Sequence, residues 1–284
     1  MEKIIYFFAH IESWQRTLMV AGGILFFWIL ESIIPLFIFR YNRIQHAGLN
    51  IFFTITTIIV NFSFAYFIAK GSQYTYQHGL GLLNLVELPV WLYMLAGLMI
   101  MDFISSWLIH WMQHKIKWMW KFHLIHHSDT CVDTTTANRH HPVESMFRAI
   151  FTFLAVVIAG APVWLLFMYQ FLSVLISQFN HANIAMPKWL DQSLKWIIVS
   201  PDMHKIHHHY VQPLTDTNYG NIFSCWDRLF RTYASKKDIT ILQYGIDMCP
   251  EEKQNNSLGK LLKIPFEAYR PPTGAKFSKL NSKA

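Results

Sequence analysis

Fifteen histidines stand in this chain, and twelve of them fall between His110 and His209. His110 and His114 are one helical turn apart, while His123, His126 and His127, then His204, His207 and His208, repeat a spacing that sets three imidazoles on a shared helix face. Neutral imidazole is a good ligand for iron, zinc and copper. Eight histidines in three clusters exceed what one ion can take, so two metal ions are the economical reading. His141 and His181 extend the supply to ten. His10, His46, His78, His140 and His209 lack the spacing and read as ordinary polar residues, with His209 at most a neighbour of the site.

Carboxylates stand near these rings and could orient them, since a metal-bound imidazole commonly donates its other N–H to an acid. Asp102 lies two helical turns before His110, inside an apolar stretch where a carboxylate is costly unless it has a partner. It reads either as holding an imidazole or as making a helix-packing hydrogen bond. Glu144 and Asp202 are the other candidates for the orienting role, and Asp129, Asp133 and Asp216 also stand near the histidines, but for any one of these five helix capping is the plainer reading, and Ser200-Pro201-Asp202 has the form of a helix start. Glu31 reads as structural, and Trp226-Asp227-Arg228 as a hydrogen-bonding step that holds a cap together.

The surroundings must hold these groups at a bilayer. Of the 284 residues, 53% are hydrophobic and 14% charged, against about a quarter charged in a soluble domain. The net charge of +7 is spread beside apolar spans rather than gathered in one patch, which favours anionic lipid headgroups and speaks against nucleic acid. Cys131, Cys225 and Cys249 have no paired spacing, so neither a disulfide framework nor a cysteine zinc site is indicated, and a reducing compartment fits. Residues 1–16 lack a small-residue cleavage site, so no removable signal peptide is expected.

Spans are expected at Leu18–Phe39, Asn50–Ala69 and Leu88–His110, each near the roughly 20 residues a bilayer requires. A fourth apolar block, Ala149–Phe179, is interrupted at Gly160-Ala161-Pro162 and reads as a hairpin that enters and returns. The fold class is all-α integral membrane: about three transmembrane helices plus a broken hairpin, four to five apolar helices in all, with a cytoplasmic histidine-rich helical cap. The divisions are 1–110, helices leading into the site; 111–233, the histidine region with the hairpin at 149–179; and 234–284, a polar basic tail. Arg40 and Arg43 make the first loop cytoplasmic by the positive-inside rule, which brings His110 to the cytoplasmic side. The hairpin leaves His141 and His181 on one side. The aromatic run Trp107, Trp111, Trp118, Trp120 and Phe122 fits an interfacial belt.

His110-Trp-Met-Gln-His114, His123-Leu-Ile-His-His127, Arg139-His-His-Pro-Val-Glu144, Asn180-His181-Ala-Asn183, His204-Lys-Ile-His-His208 and Asn218-Tyr-Gly220 follow in order. In this the chain resembles the fatty acid hydroxylase and sterol desaturase superfamily over roughly Met101 to Tyr233. The resemblance implies a non-haem centre of two iron ions that uses O2 to hydroxylate or desaturate a C–H bond of a membrane lipid. It implies His110, His114, His123, His126, His127, His141, His181, His204, His207 and His208 as ligands. His141 is preferred to His140 because it occupies the His-Pro-x-Glu position. Zinc would also bind such a site in purified protein but has no redox chemistry. Neither a dinucleotide fingerprint nor a haem or iron–sulfur motif is present, so electrons come from an external donor of the cytochrome b5, ferredoxin or reductase type.

Two other classes of function compete with this one. A zinc-dependent membrane hydrolase needs a carboxylate base, and no His-Glu-x-x-His motif is present. A non-enzymatic metal carrier would place its ligands near the bilayer midplane, whereas these clusters flank basic interfacial sequence. Short length and compact loops suggest a bacterial-type enzyme of the inner membrane.

Overall fold

The computed structural model describes residues 1–247 and 257–269. Among them, five helices are long and apolar enough to cross a bilayer, and backbone pairing outside helices is confined to isolated bridges. The chain is an all-α integral membrane protein.

After a short α1 (Glu2–Ala9), the first span is α2 (Ser13–Ile33). It stops well before the expected Phe39. Pro35 is the reason, because the residue before a proline is pushed out of the α region, and Ile34 indeed sits at φ −131°, ψ 59°. The second span, α3 (Arg43–Gln77), has 35 residues, about 52 Å at 1.5 Å per residue. It therefore outruns a hydrocarbon layer of about 30 Å and begins earlier than the expected Asn50. The third consists of α4 (Val90–Asp102), a π-helical stretch Phe103–Leu108, and α5 (Ile109–Lys115). Ile116 is extended, and α6 (Lys117–His127) turns away from it.

The hairpin comprises α7 (Pro142–Ala159) and α8 (Val163–His181), longer at both ends than the apolar block 149–179. The chain reverses at the expected tripeptide. Gly160 has φ 69°, and a Cβ there would lie 2.0 Å from the Leu80 carbonyl oxygen, so only glycine fits. Asn84 Nδ2 secures the turn by donating to the carbonyls of Leu80 and Gly160.

Helix direction decides what meets. The end of α2, the start of α3, the end of α5, the start of α7 and the end of α8 share one end of the bundle. There Glu31 accepts from the backbone N–H groups of Thr134 and Asn183 at 2.7 and 2.8 Å, and His46 reaches Asp129 at 2.9 Å. Between the two ends the core is apolar, with Met101, Ala155, Val156 and Leu165 fully buried. Over the histidine end lie α9 (Lys188–Leu194), α10 (Pro201–His207) and α11 (Cys225–Leu229). A last helix, α12 (Leu258–Lys263), packs its buried Leu261 on Phe53 and Ile125. Of the basic tail expected over 234–284, residues 248–256 and 270–284 lie outside the described residues.

Candidate metal centre

Nine of the ten histidines expected at the site converge, in two groups. The ring nitrogens of His110, His114, His123, His127 and His207 lie within 4.8 Å of one another, and so do those of His126, His181, His204 and His208. Each His-x-x-His-His box is divided between them. The i and i+4 rings, His123 with His127 and His204 with His208, stay together, while the i+3 ring crosses to the other group. At 100° per residue, i+4 is displaced by about 40° and i+3 by about 60° the other way, so a helix aimed between two centres serves both. His110 and His114, also i and i+4, stay together.

Hydrogen bonds set the ring tautomers. A carbonyl oxygen can only accept, so His110 Nδ1, 2.9 Å from the Tyr219 oxygen, carries the hydrogen. The same holds for His207 Nδ1 on the Thr217 carbonyl at 2.7 Å and His181 Nδ1 on the Ser177 carbonyl at 2.7 Å. His123 Nδ1 donates to Glu144 Oε1 at 2.8 Å, and His114 Nδ1 lies 3.3 Å from Asp216 Oδ1. Each of these neutral rings then presents Nε2 as a lone pair. His110 Nε2 and His123 Nε2 face each other at 3.1 Å, and His181 Nε2 stands 3.1 Å from both His126 Nε2 and His204 Nε2.

That arrangement tests the fit to metal. Two buried lone pairs aimed at one point repel unless a cation lies between or beside them. Ligands about 2.0–2.1 Å from a shared ion, at right to tetrahedral angles, are about 2.8–3.4 Å apart, which brackets the 3.1 Å seen here. His114 Nε2, His207 Nε2 and both nitrogens of His127 and His208 are buried and have no hydrogen-bond partner among the described residues. Burial, with the crowding of neighbouring rings, holds His126, His127, His204, His207 and His208 well below the ordinary imidazole range. Burial brings His123 down to about 4 despite Glu144. The rings are neutral and ready to donate electron pairs.

The remaining candidates separate clearly. His141 does not join either group. Pro142 opens α7, and His141 serves as its N-cap, with Nδ1 accepting from the Val143 N–H at 3.1 Å. His140 turns inward instead: its ring is 4.9 Å from that of His126, and its Nδ1 lies 2.9 Å from Glu144 Oε1. Glu144, fully buried, thus holds His123 by a hydrogen bond and lies against His140. Asp102 reaches none; its carboxylate accepts from the N–H groups of Ile222 and Phe223 and from the Trp226 indole at 3.0–3.1 Å. Asp202 faces Lys205 and Asp191, and burial pushes its carboxyl up to about 6.

Other groups carry more than their sequence context indicates. Asp216 orients His114; burial would raise its carboxyl, but His114 and Lys115 hold it well below the usual range. Asp227 accepts from Trp107 Nε1 and the Tyr219 and Gly220 N–H groups, which fixes the loop whose carbonyl orients His110. His46 binds Asp129, and the buried Arg139 donates to the Ile125 carbonyl and Ser128 hydroxyl at the end of α6. This clamps the helix that carries three of the rings. No residue-type signal marks a backbone acceptor such as Tyr219 or Thr217, but acidic residues beside the boxes were a usable pointer to Asp216. Trp120 and Tyr219, both buried, wall the first group, with ring centroids 4.8 and 5.1 Å from His114.

Residues 94–232 match the family model described as fatty acid hydroxylase. The chain is 26% identical over 158 residues to an ornithine lipid hydroxylase of Rhizobium tropici, covering 56% of this chain and 46% of that protein. It is 28% identical over 173 residues to an alkylglycerol monooxygenase of Xenopus tropicalis, covering 57% and 35%. With a methylsterol monooxygenase of Arabidopsis thaliana it shares 24% over 181 residues, 62% of this chain and 67% of that one. The chain thus spans less than half the length of the first two relatives. No solved structure matches it.

Proposed function

Because residues 94–232 match the fatty acid hydroxylase family model and the chain is similar to lipid hydroxylases and monooxygenases, we propose that it is an integral-membrane di-iron oxygenase that hydroxylates or desaturates a lipid C–H bond. The observation that carries this reading is the pair of buried groups, five rings and four, whose lone pairs converge at ligand spacing. In this reading His110, His114, His123, His127 and His207 hold one ion, and His126, His181, His204 and His208 the other. His141 is left out of the ligand set. Iron, when bound, would supply the redox chemistry and Lewis acidity needed to activate O2 against an unactivated carbon, relaying electrons that come from outside the chain.

The chain's own residues do the rest. Glu144, Asp216 and the carbonyls of Tyr219, Thr217 and Ser177 fix ring orientation and raise ligand basicity by accepting Nδ1 hydrogens. Trp120 and Tyr219 keep water from the first group, which suppresses side reactions of an oxidising site. Electrons are supplied by an external carrier protein. The substrate reaches the site from the bilayer, and Arg40, Arg43, Lys115, Lys117 and Lys121 at the histidine end support a cytoplasmic face, in a bacterial inner membrane.

A zinc hydrolase is less well supported, because Glu144, the carboxylate most intimate with the rings, is engaged by His123 and His140. The test is activity of the iron-loaded protein in nanodiscs with a reductase, a carrier and membrane lipid extract. Oxygen uptake matched by a lipid heavier by one oxygen, or lighter by two hydrogens, is expected. Uptake without an oxidised lipid, or turnover by the zinc form, would overturn the assignment.

A further inference from the structure

The segment after Pro187 is polar enough in sequence to read as part of a cap in water, yet its contacts lie at membrane depth. The third span begins at Val90, beside Trp91, which is 56% exposed and suits an interface. Asp102 is twelve residues further on, about 18 Å along the axis. A hydrocarbon layer of about 30 Å therefore continues past Asp102 toward the histidine end. At this depth Asp102 binds the backbone of Ile222 and Phe223, and Phe103 packs on Trp226 and Phe230 with ring centroids 5.1 and 5.4 Å away.

Irregular backbone survives in hydrocarbon only where its polar groups are satisfied. Here they are. The Asp102 carboxylate takes two N–H groups and an indole, Ser224 N–H and hydroxyl donate to the Ile197 and Lys195 carbonyls, and the Val199 N–H donates to the Ile222 carbonyl. Arg228 donates to the Lys195 carbonyl and lies 4.7 Å over the Trp196 ring, tying α11 to the end of α9. Turned outward from this satisfied core are Trp189, Trp196, Ile197 and Leu229, 67–70% exposed, and Phe230 at 44%. Cationic Lys188, Lys195 and Arg231 neighbour them in sequence, Lys195 partly exposed and 3.5 Å from the Asp191 carboxylate.

We propose that the stretch from Trp189 to Phe230 is a foot inserted into the leaflet on the histidine side. Trp189, Trp196, Ile197, Leu229 and Phe230 enter the acyl chains, and Lys188, Lys195 and Arg231 engage anionic headgroup phosphates. Continuity with the span through Phe103 and Trp107, together with the cations beside the aromatic edge, selects a lipid leaflet as the occupant. The foot sets the depth of the loop whose Tyr219 and Thr217 carbonyls orient His110 and His207. It rests on the membrane location alone and not on the identity of the metal.

The test is fluorescence in nanodiscs, comparing the full-length protein with Trp189→Phe and Trp196→Phe, both exposed positions. The emission lost in each variant should be the part that acyl-chain dibrominated phospholipid quenches at least about two-fold and that aqueous iodide spares. Phosphatidylglycerol should deepen that quenching in the wild-type protein and not in a Lys188→Gln, Lys195→Gln, Arg231→Gln variant. Quenching by iodide and not by bromine would overturn the proposal, as would shielding from both quenchers that is lost on dilution, the sign of a second copy. Indifference to phosphatidylglycerol would overturn the headgroup contact.

Discussion

His110 and His123 confront each other through Nε2 atoms 3.1 Å apart, although each has already committed its Nδ1 hydrogen, to the Tyr219 carbonyl and to Glu144. Nothing among the described residues places a hydrogen between them, so a cation is the natural third party. Removing metal should therefore destabilise the fold. Chelated protein is expected to melt several degrees lower than the iron-loaded form, since a ligand that binds only the native state stabilises by about 2.7 kcal/mol at a hundredfold excess over its Kd. Iron should restore both melting temperature and activity, and zinc the melting temperature alone.

The division of each box predicts two separable losses. His207→Ala should deplete the first group, and His204→Ala the second, so each variant is expected to keep about half of the wild-type metal while losing activity at least about a hundredfold. Metal counting by mass spectrometry after equal loading checks it. Loss of all metal in both variants would mean that the two groups do not bind independently.

Glu144→Gln should weaken metal binding about ten- to a hundredfold without unfolding the protein. An amide oxygen can still accept from one imidazole, but the charge that raises ligand basicity is gone. Glu144→Ala goes further and strands the His123 N–H in a fully buried place, at a cost of about 1–3 kcal/mol. Metal titration and thermal unfolding together distinguish the two effects.

His140 and His141 offer a paired comparison. His141→Ala should retain metal and lose about 1 kcal/mol of stability, the worth of an N-cap. His140→Ala should lower metal retention or activity, because its ring leans on His126 and its Nδ1 on Glu144. The reverse pattern would restore the reading from motif position.

This pair also shows where sequence reasoning stops. The clusters, the hairpin and its break are legible because they depend on spacing and on Gly160 and Pro162, whose backbone preferences are local. Which of two adjacent histidines faces inward is decided by tertiary packing, His140 against His126 and His141 capping α7, and the motif carries no trace of it. The sorting of His126 away from His123 and His127 was recoverable in principle from 100° per residue, given two centres. His46 was not, because its partner Asp129 is 83 residues away and only the length of α3 brings them together. The first span was misjudged at its end because apolar residues continue to Phe39, past the proline that stops the helix.

Asp102→Ala makes the last prediction, and it separates anchoring from chemistry. The substitution strips acceptors from the Ile222 and Phe223 N–H groups and the Trp226 indole. At about 1–3 kcal/mol for each stranded group, the protein should lose several degrees of melting temperature in nanodiscs. Asp102→Asn retains one acceptor oxygen and should lose less. Since Asp102 touches no imidazole, the folded fraction of either variant should bind as much metal per chain as the wild-type protein. A folded Asp102→Ala protein with depleted metal would instead place this carboxylate in the service of the rings, acting through the loop from Asn218 to Phe223 that supplies the Tyr219 carbonyl to His110.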